Sequence, residues 1–398
     1  MRLRIATFNV ENLASRHSYG PRERPETAPA LSLFDFPQAE TREQVEASVA
    51  VAIEDDKREL TALAIAETRA DIIALQEVDN LSVLSAFFAN YVHRMSDIRY
   101  GHFKLVDGND PRGIDVAFAA RKDLVDTEKL AVTSHHEASF ADLGCYDEAL
   151  RALEIEPHHR VFNRDCLEVA LDLGDARLSL YLCHFKAVTA NGRTAGREGT
   201  LALRQAEAKA VRRLIETRFG AGWREANWMV AGDLNDFRAR ILPGGAIAPA
   251  APSSFDALLD DFATDPMEAL PAPERWTHFF RGRSGGEVRE EHVQLDYILL
   301  SPALAKADPA PKVEIIRRGL PYRVPLDPAA ADRSMAHLAT TADRYPRVGW
   351  TARKRATTAR WWSRSSCQPS PGVLGHPYPR HGRTYLEVDK RLKLLNSA

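Results

Sequence analysis

The sequence predicts an α/β protein in which strands and helices alternate along the chain. Short apolar runs of strand length, such as "RLRIATFNV" and "DIIALQEV", recur as far as about residue 301. Segments with apolar residues at every third or fourth position lie between them, as in amphipathic helices. Hydrophobic residues make up 44% of the 398 residues, enough for a substantial buried core. Together these features favour a layered α/β domain over an all-helical one.

The predicted elements of the first half begin with a strand. Strands are predicted at residues 2–10, 71–78, 113–121, 164–173 and 176–187. Helices are predicted at residues 41–69, where apolar residues recur at helical spacing, and near 81–95. Residues 15–40 are rich in Pro, Ser, Arg and Glu and are predicted to form a loop.

The second half contains the best-defined helix, predicted over residues 200–218. Thr200 is a suitable N-cap for this helix and Gly220 a stop signal. A strand in "NWMVAGDLND" ends in a polar loop, and "VQLDYILLS" is a further strand. The Pro- and Ala-rich residues 242–253 are predicted to form a loop. No internal repeat or long linker divides residues 1–350, so we interpret them as one domain.

Charge is spread unevenly along the chain. From Thr351 onward there are seven Arg and three Lys against one Glu and one Asp, so this tail carries +8. The net charge of −2 therefore leaves −10 on residues 1–350. An acidic body argues against broad binding to duplex DNA, which depends on Lys and Arg to neutralise phosphates. It is compatible with carboxylates that hold a metal cation.

The chain carries no membrane, zinc or disulfide signature. No stretch approaches the roughly 18 consecutive apolar residues of a membrane span, and the sequence begins with a strand pattern instead of a signal peptide. The four cysteines lack CxxC spacing: Cys145, Cys166, Cys183 and Cys367. We therefore expect reduced thiols and a cytoplasmic protein.

Polar residues suited to metal or phosphate binding stand at the ends of five predicted strands. They are Asn9, Glu77, His184, Asp233 with Asn235, and Asp296. Because ligands bind at the strand ends of layered sheets, we expect these side chains to meet at one edge.

Each of these residues also has a purely structural interpretation. Asn9 could be a turn residue, Glu77 a solvated strand end, and His184 a core histidine. Asp233 and Asn235 could form an Asx turn, and Asp296 could pair with an arginine. The structural interpretation is weaker for the set, because five strands would have to end in such residues by accident.

Six segments, in order, resemble the endonuclease/exonuclease/phosphatase superfamily, with its DNase I-like and exonuclease III-like fold. They are "TFNVENL", "LQEV", "RGIDVAF", "CHFKA", "GDLND" and "LDYILLS". The resemblance runs from residue 3 to about 301. It implies a four-layer sandwich of two mixed β-sheets flanked by helices, with a phosphoester-binding cleft at the top edge.

The resemblance also implies roles for the individual residues. Glu77 is the principal Mg²⁺ ligand, with Mn²⁺ as a possible substitute, and Asn9 lies beside it on metal or phosphate. Asp233 orients or deprotonates the attacking water and joins the metal ligands, and Asn235 holds the phosphate. His184 contacts the scissile phosphate, and Asp296 is a supporting acid.

These residue types suit hydrolysis at phosphorus. In-line attack builds negative charge on the non-bridging oxygens, which a carboxylate-bound Mg²⁺ offsets. Neutral Asn and His side chains can then bind the phosphate without adding repulsion. Arg112, in "DPRGIDVAF", is a further candidate phosphate contact or else a turn arginine.

The last motif of the family is missing. Relatives close with a strand after a Ser-Asp-His triplet, and no such triplet is present. His337, in "SMAHLAT", lacks the preceding Asp and a following apolar strand, so it is not a replacement. We therefore expect the edge of one sheet to lose its partner strand and catalysis to fall by orders of magnitude.

The tail offers an explanation for the missing motif. If the DNA that encodes "TARKRATTARWWS" is translated from one nucleotide earlier, codon degeneracy allows the peptide Asp-Arg-Pro-Lys-Ala-Ser-Asp-His-Gly-Ala-Val-Val-Val. We therefore predict that residues 351–398 are an irregular basic tail in a shifted frame, through mutation or sequencing error. Codon degeneracy alone is the simpler alternative. Stacking of Trp361 and Trp362 on nucleic acid is another.

The predicted function is Mg²⁺-dependent hydrolysis of phosphoester bonds, as a phosphodiesterase or nuclease impaired by the missing motif. Its partner would be nucleic acid or another phosphoester substrate, with no protein partner implied. One alternative is a phosphatase or phospholipase-like enzyme for a small or lipid phosphoester. The other is a catalytically dead binding or scaffold protein of the same fold.

Overall fold

The fold is described from a computed structural model. It describes residues 2–14, 38–174, 176–188, 196–242, 245–284, 287–317, 322–323, 350–351 and 383–389. Residues 15–37 of the loop predicted at 15–40 lie outside this range, as do His337, Trp361, Trp362 and Cys367. The last two residues of that predicted loop begin α1 instead.

Seventeen strands are present among the described residues. They are β1 (Arg2–Leu13), β2 (Ile72–Val78), β3 (Tyr100–Leu105), β4 (Asp115–Arg121), β5 (Leu130–Thr133), β6 (Cys166–Asp172), β7 (Arg177–His184), β8 (Trp228–Asp233), β9 (Ala239–Ile241), β10 (Ile247–Pro249), β11 (His278–Ser284), β12 (Glu287–Val293), β13 (Asp296–Leu300), β14 (Lys312–Ile316), β15 (Tyr322–Arg323), β16 (Trp350–Thr351) and β17 (Arg383–Asp389).

Eight α-helices accompany these strands in the described ranges. They are α1 (Ala39–Thr68), α2 (Leu81–Phe87), α3 (His93–Met95), α4 (Glu148–Ala152), α5 (Gly196–Gly199), α6 (Leu201–Phe219), α7 (Asp256–Leu259) and α8 (Pro302–Ala307). A π-helical turn, Phe88–Val92, joins α2 to α3, so the helix predicted near 81–95 is irregular.

Two mixed sheets form the centre of the fold. Sheet 1 has the order β14-β17-β1-β2-β4-β3, and sheet 2 has the order β13-β8-β7-β6-β5. Each sheet has one parallel pair, β1 with β2 and β7 with β8, and its other pairs are antiparallel. The parallel pairs bring the carboxyl ends of four strands to one edge of the sandwich.

The apolar side chains lie in three layers between and outside the sheets. Residues such as Ile5, Phe118 and Leu180 fill the space between sheets 1 and 2. Helices α1 and α2 cover the outer face of sheet 1, with Ile65 and Leu84 in contact with it, and α6 covers the outer face of sheet 2. The predicted four-layer α/β sandwich is therefore confirmed.

The segment around the loop predicted at 242–253 contains more regular structure than expected. Strands β9 to β12 form an antiparallel sheet in the order β10-β9-β12-β11, and α7 lies between β10 and β11. The loop prediction for 242–253 is therefore wrong over β10. These strands are only three to seven residues long, and Pro and Gly interrupt the segment, which hides their period-2 pattern.

A short part of the predicted irregular tail, residues 383–389, forms a strand. Strand β17 pairs antiparallel with β1 on one side, where Ile5 faces Leu386, and with β14 on the other. Strand β1 therefore has partners on both sides, β17 and β2, whereas the missing final motif had led us to expect one sheet to lose an edge partner. "RTYLEVD" contains the β-branched and aromatic residues that favour strands. Residues 352–382 and 390–398 lie outside the described residues, so the shifted frame and the boundary at 350 remain predictions.

The helices of the described part of the chain include none that is long and apolar enough to cross a membrane.

Candidate active site

Five strand ends meet at one edge of the sandwich. In sheet 1, Asn9 lies opposite Gln76 in the parallel β1–β2 pair, beside Glu77. In sheet 2, His184 lies opposite Asp233 in the parallel β7–β8 pair, and Asp296 opens β13 opposite Asp233. The expectation that these strand ends lie together agrees with this register.

Asn9 connects the two sheets. Its Nδ2 donates to Glu77 Oε1 at 3.2 Å and to Asp233 Oδ2 at 3.2 Å. Its Oδ1 accepts from the backbone N–H of Glu11 at 2.9 Å. The other oxygen of Glu77, Oε2, accepts from the backbone N–H of Asn12 at 3.0 Å. One amide therefore separates two carboxylates that belong to different sheets.

The backbone beside these side chains is locally irregular. The pairing of β2 with β4 shifts register between Gln76 and Val78, and Glu77 between them has a φ of 67°. Left-handed backbone costs roughly 1 kcal/mol for a residue other than glycine. Glu11 and Asn12 also have positive φ, at 54° and 57°, where β1 shifts against β2. Such bulges redirect side chains at sheet edges, here towards the edge that carries Asp233.

Asp233 is a buried carboxyl group with an altered pKa. Burial, followed by the charge of Asp296, raises its pKa to about 7, although hydrogen bonds from Asn235 and Asn9 oppose the shift. A group that titrates near neutral pH can exchange protons with water under physiological conditions.

Gly232, just before Asp233, allows β8 to pack closely on β7. A Cβ at this position would lie 1.8 Å from the carbonyl oxygen of Cys183, and the φ of Gly232 is 153°. The sequence "GD" therefore fixes the end of β8 directly beside the end of β7, where His184 lies.

His184 is a neutral, buried imidazole. Burial, with smaller effects from the charges of Arg164 and Arg112, lowers its pKa well below the ordinary value. Its Nε2 lies 3.9 Å from Asp233 Oδ2. Its Nδ1 is buried and has no hydrogen-bond partner among the described residues. Because an unsatisfied buried polar atom is costly, this atom is a candidate contact for a ligand.

Asn235 follows β8 in a left-handed conformation, with a φ of 50°. Its backbone N–H donates to Asp233 Oδ1 at 2.9 Å, which is the Asx turn considered as the alternative interpretation. Its Nδ2 donates to the carbonyl oxygen of Phe185 at 2.9 Å, which uses one of the two N–H groups of the amide. The second N–H can serve a ligand.

The guanidinium group of Arg112 is hydrogen-bonded to Asp110, a residue that was not predicted from the sequence. Its Nε and Nη2 donate to the two oxygens of Asp110 at 3.1 and 2.8 Å. Asn163 also donates to Asp110, and Arg164 forms an ion pair with it at 2.9 Å. Burial alone would raise the pKa of Asp110, but the hydrogen bonds from Arg112 and the charge of Arg164 lower it to about 2.

Arg164 and Asp110 were missed because both precede strands. Arg164 stands before β6, which is antiparallel to β7 and therefore begins at the edge where β7 ends. Its Nη1 donates to the carbonyl oxygen of Phe185 at 3.0 Å, next to His184. A search that also considered the starts of antiparallel strands would have found "NRDC".

The site's donor set suits a hard cation. Among the described residues, no three or more His, Cys, Asp or Glu side chains are grouped to hold a metal. Mg²⁺ needs fewer protein ligands than that, because it keeps several waters and binds through one or two carboxylates. Glu77 Oε1 and Asp233 Oδ2 both accept hydrogen bonds from the amide nitrogen of Asn9, which brings the two carboxylates close together. Two neighbouring carboxylates are a ligand set that fits Mg²⁺.

A cavity of about 300 Å³ lies beside the small β9–β12 sheet, and none of the candidate site residues lines it. Tyr297, one of its lining residues, follows Asp296 and donates to the carbonyl oxygen of Asp236 at 3.3 Å. Other lining residues are Arg238, Ile241, Asp265, Glu268 and Gln294. The cavity therefore lies between the small β9–β12 sheet and the loop after β8.

The fold is that of a family of phosphoester hydrolases. The model of the endonuclease/exonuclease/phosphatase family matches residues 6–314. The chain belongs to that family, whose members generally hydrolyse phosphoester bonds and typically depend on a divalent metal. No curated protein matches the chain.

Several solved structures are similar to the chain. A family protein from Bacteroides thetaiotaomicron has a TM-score of 0.46 at 12% identity, covering 98% of this chain and 97% of its own. One from Leptotrichia buccalis has a TM-score of 0.42 at 13% identity, covering 79% and 92%. TDP2 of D. rerio, complexed with a single-strand DNA product, has a TM-score of 0.42 at 12% identity, covering 98% and 99%.

Proposed function

We propose that the chain is a Mg²⁺-dependent hydrolase of phosphoester bonds, acting as a phosphodiesterase or nuclease by in-line attack of water. The observation that carries this proposal is the bridge of Asn9 between Glu77 and Asp233, with the buried His184 beside it. Two carboxylates and a neutral imidazole at one edge of the sandwich support this chemistry.

Glu77, Asn9 and Asp233 would hold the metal, for which Mn²⁺ is a substitute. The bound cation would offset the charge that develops on the phosphoryl oxygens. Asp233 would orient or deprotonate the attacking water.

Neutral groups would bind the phosphate. His184 would contact the scissile phosphate through its unpaired ring nitrogen, and Asn235 through its second N–H. Arg112 would reach the phosphate only after leaving Asp110. Asp296 would act through Asp233, whose pKa its charge raises.

The absence of Ser-Asp-His would impair this chain. Loss of a general acid–base pair lowers the catalytic rate by about 10²- to 10⁴-fold. Sequencing independent clones across the Trp350 codon tests the proposed shifted frame. A missing or extra nucleotide that restores Ser-Asp-His supports it, and an unchanged frame refutes it.

Plasmid nicking tests the nuclease proposal. The full chain at high concentration should nick supercoiled DNA with Mg²⁺, and EDTA or Glu77→Gln should abolish the nicking. Nicking that survives in the Glu77→Gln variant would refute the assignment. Nucleotide or lipid binding with no turnover of any phosphoester would instead support the scaffold alternative.

A phosphatase or phospholipase-like enzyme is the second candidate function. The −10 charge of residues 1–350 disfavours a long polyanion, and so favours a smaller phosphoester substrate. Turnover of p-nitrophenyl phosphate without plasmid nicking would support this candidate over the nuclease.

A further inference from the structure

Arg204, on α6, lies behind the candidate active site with its guanidinium group fully buried. Its Nη1 donates to the carbonyl oxygen of Lys186 at 3.3 Å and to Thr200 Oγ1 at 2.5 Å. Its Nη2 donates to the carbonyl oxygen of Arg197 at 2.8 Å, and its Nε lies 4.0 Å from Asp236 Oδ2. A buried arginine is costly unless it is paired, so these contacts offset a large desolvation penalty.

The first loop that Arg204 contacts follows His184. Besides the contact of Lys186 with Arg204, the Lys186 backbone N–H donates to Glu207 Oε2 at 2.8 Å. The preceding carbonyl, of Phe185, accepts from Asn235 and Arg164. Two residues of α6 therefore hold both backbone groups of Lys186, two positions after the candidate phosphate-binding histidine.

The second loop follows Asp233. Asp236 is fully buried, and its Oδ1 accepts from Arg197 Nε at 2.5 Å. Its Oδ2 accepts from the backbone N–H of Ser254 at 2.8 Å. Asp236 adjoins Asn235, whose left-handed backbone needs restraint from its surroundings. Arg204 reaches this loop through its ion pair with Asp236 and through the carbonyl of Arg197.

We propose that Arg204 is a positioning residue, which holds the loops after β7 and β8 so that His184 and Asn235 keep their places at the site. This inference rests on the proposed function. Arginine suits the task because its planar group offers five donors in a fixed geometry, whereas lysine offers one compact charge. Misplacement of catalytic groups by about 1 Å can cost on the order of 100-fold in rate.

Arg212, two turns further along α6, provides a matched control. Its Nη1 donates to the carbonyl oxygens of Ala257 and Asp260 at 3.0 and 3.3 Å, and its guanidinium lies over Phe262. It thus bonds backbone carbonyls as Arg204 does, but in α7 and at its C-terminal end, a segment that carries no candidate site residue.

The test compares full-length Arg204→Met, Arg204→Lys and Arg212→Met with the wild type. Hydrogen exchange is measured in peptides that span 184–188 and 233–238, and kcat and KM are measured with bis(p-nitrophenyl) phosphate and Mg²⁺. Arg204→Met should speed exchange in both peptides and lower kcat by about 10- to 100-fold with KM within about twofold. Arg204→Lys should fall between it and the wild type, and Arg212→Met should change neither measure.

Unchanged exchange in both peptides of Arg204→Met, or an unchanged kcat, would overturn the proposal. If Arg204→Met does not fold, the same criteria apply to Arg204→Lys. If neither the wild type nor the frame-corrected chain shows Mg²⁺-dependent turnover above its own Glu77→Gln variant, the proposed function fails. The exchange comparison still decides whether Arg204 orders the two loops, so the two failures are distinguishable.

Discussion

The buried carboxyl group of Glu207 should make the stability of the protein depend on pH. Burial raises its pKa to about 7 from an ordinary value of 4.5, opposed by the hydrogen bond from Lys186 and the charge of Arg164. The unfolded chain releases this proton near pH 4.5 and the folded chain near pH 7. The contribution of Glu207 to the free energy of unfolding therefore falls as pH rises between these values, by about 3 kcal/mol.

Glu207→Gln keeps an acceptor for the Lys186 N–H but cannot ionise. Urea unfolding at pH 4.5 and pH 8 should show the variant gaining about 3 kcal/mol relative to the wild type at the higher pH. Glu216→Gln, on the same helix in a more exposed pair with Arg212, should show a much smaller change because exposed ion pairs contribute little. A stability difference between Glu207→Gln and the wild type that is equal at both pH values would refute the reasoning.

Three further substitutions or deletions test the fold around the site. Gly232→Ala places a Cβ against the Cys183 carbonyl and should cost more than about 3 kcal/mol in unfolding free energy; a thermal midpoint equal to the wild type would contradict this. Asp110→Asn leaves the buried Arg164 without its charged partner and should cost about 3 kcal/mol, measured by urea unfolding; no loss would show that the pair is unimportant. Deletion of 383–398 removes β17 from between β1 and β14 and should lower the thermal midpoint of unfolding. Deletion of 390–398 leaves β17 in place and should not lower it. Equal midpoints for the two deletions would count against β17 as a structural strand.

The strand ends could be predicted from the sequence because their signals are local. Asn9, Glu77, His184 and Asp233 each follow an apolar run, and the parallel pairing of β1 with β2 and of β7 with β8 brings them together. Helix α6 was also predicted closely, because Gly220 stops a long amphipathic pattern and has a φ of 55°.

The residues that support the site could not be predicted in the same way. Asp110 and Arg164 precede strands, and Arg204 and Glu207 lie on a helix where charged residues usually face solvent. Their roles depend on contacts with Phe185, Lys186 and Asp236 that only the packed structure creates. Strand β17 was missed because its partners, β1 and β14, are distant in sequence.

The measurement that tests the proposed function most directly is Mg²⁺-dependent hydrolysis of bis(p-nitrophenyl) phosphate. It compares the chain as printed with the frame-corrected chain, and each of them with its own Glu77→Gln variant. The corrected chain should be active, and EDTA or Glu77→Gln should abolish that activity. The printed chain should be slower by about 100-fold or more. Activity that persists in the corrected Glu77→Gln chain, or a printed chain as fast as the corrected one, would contradict the proposed site.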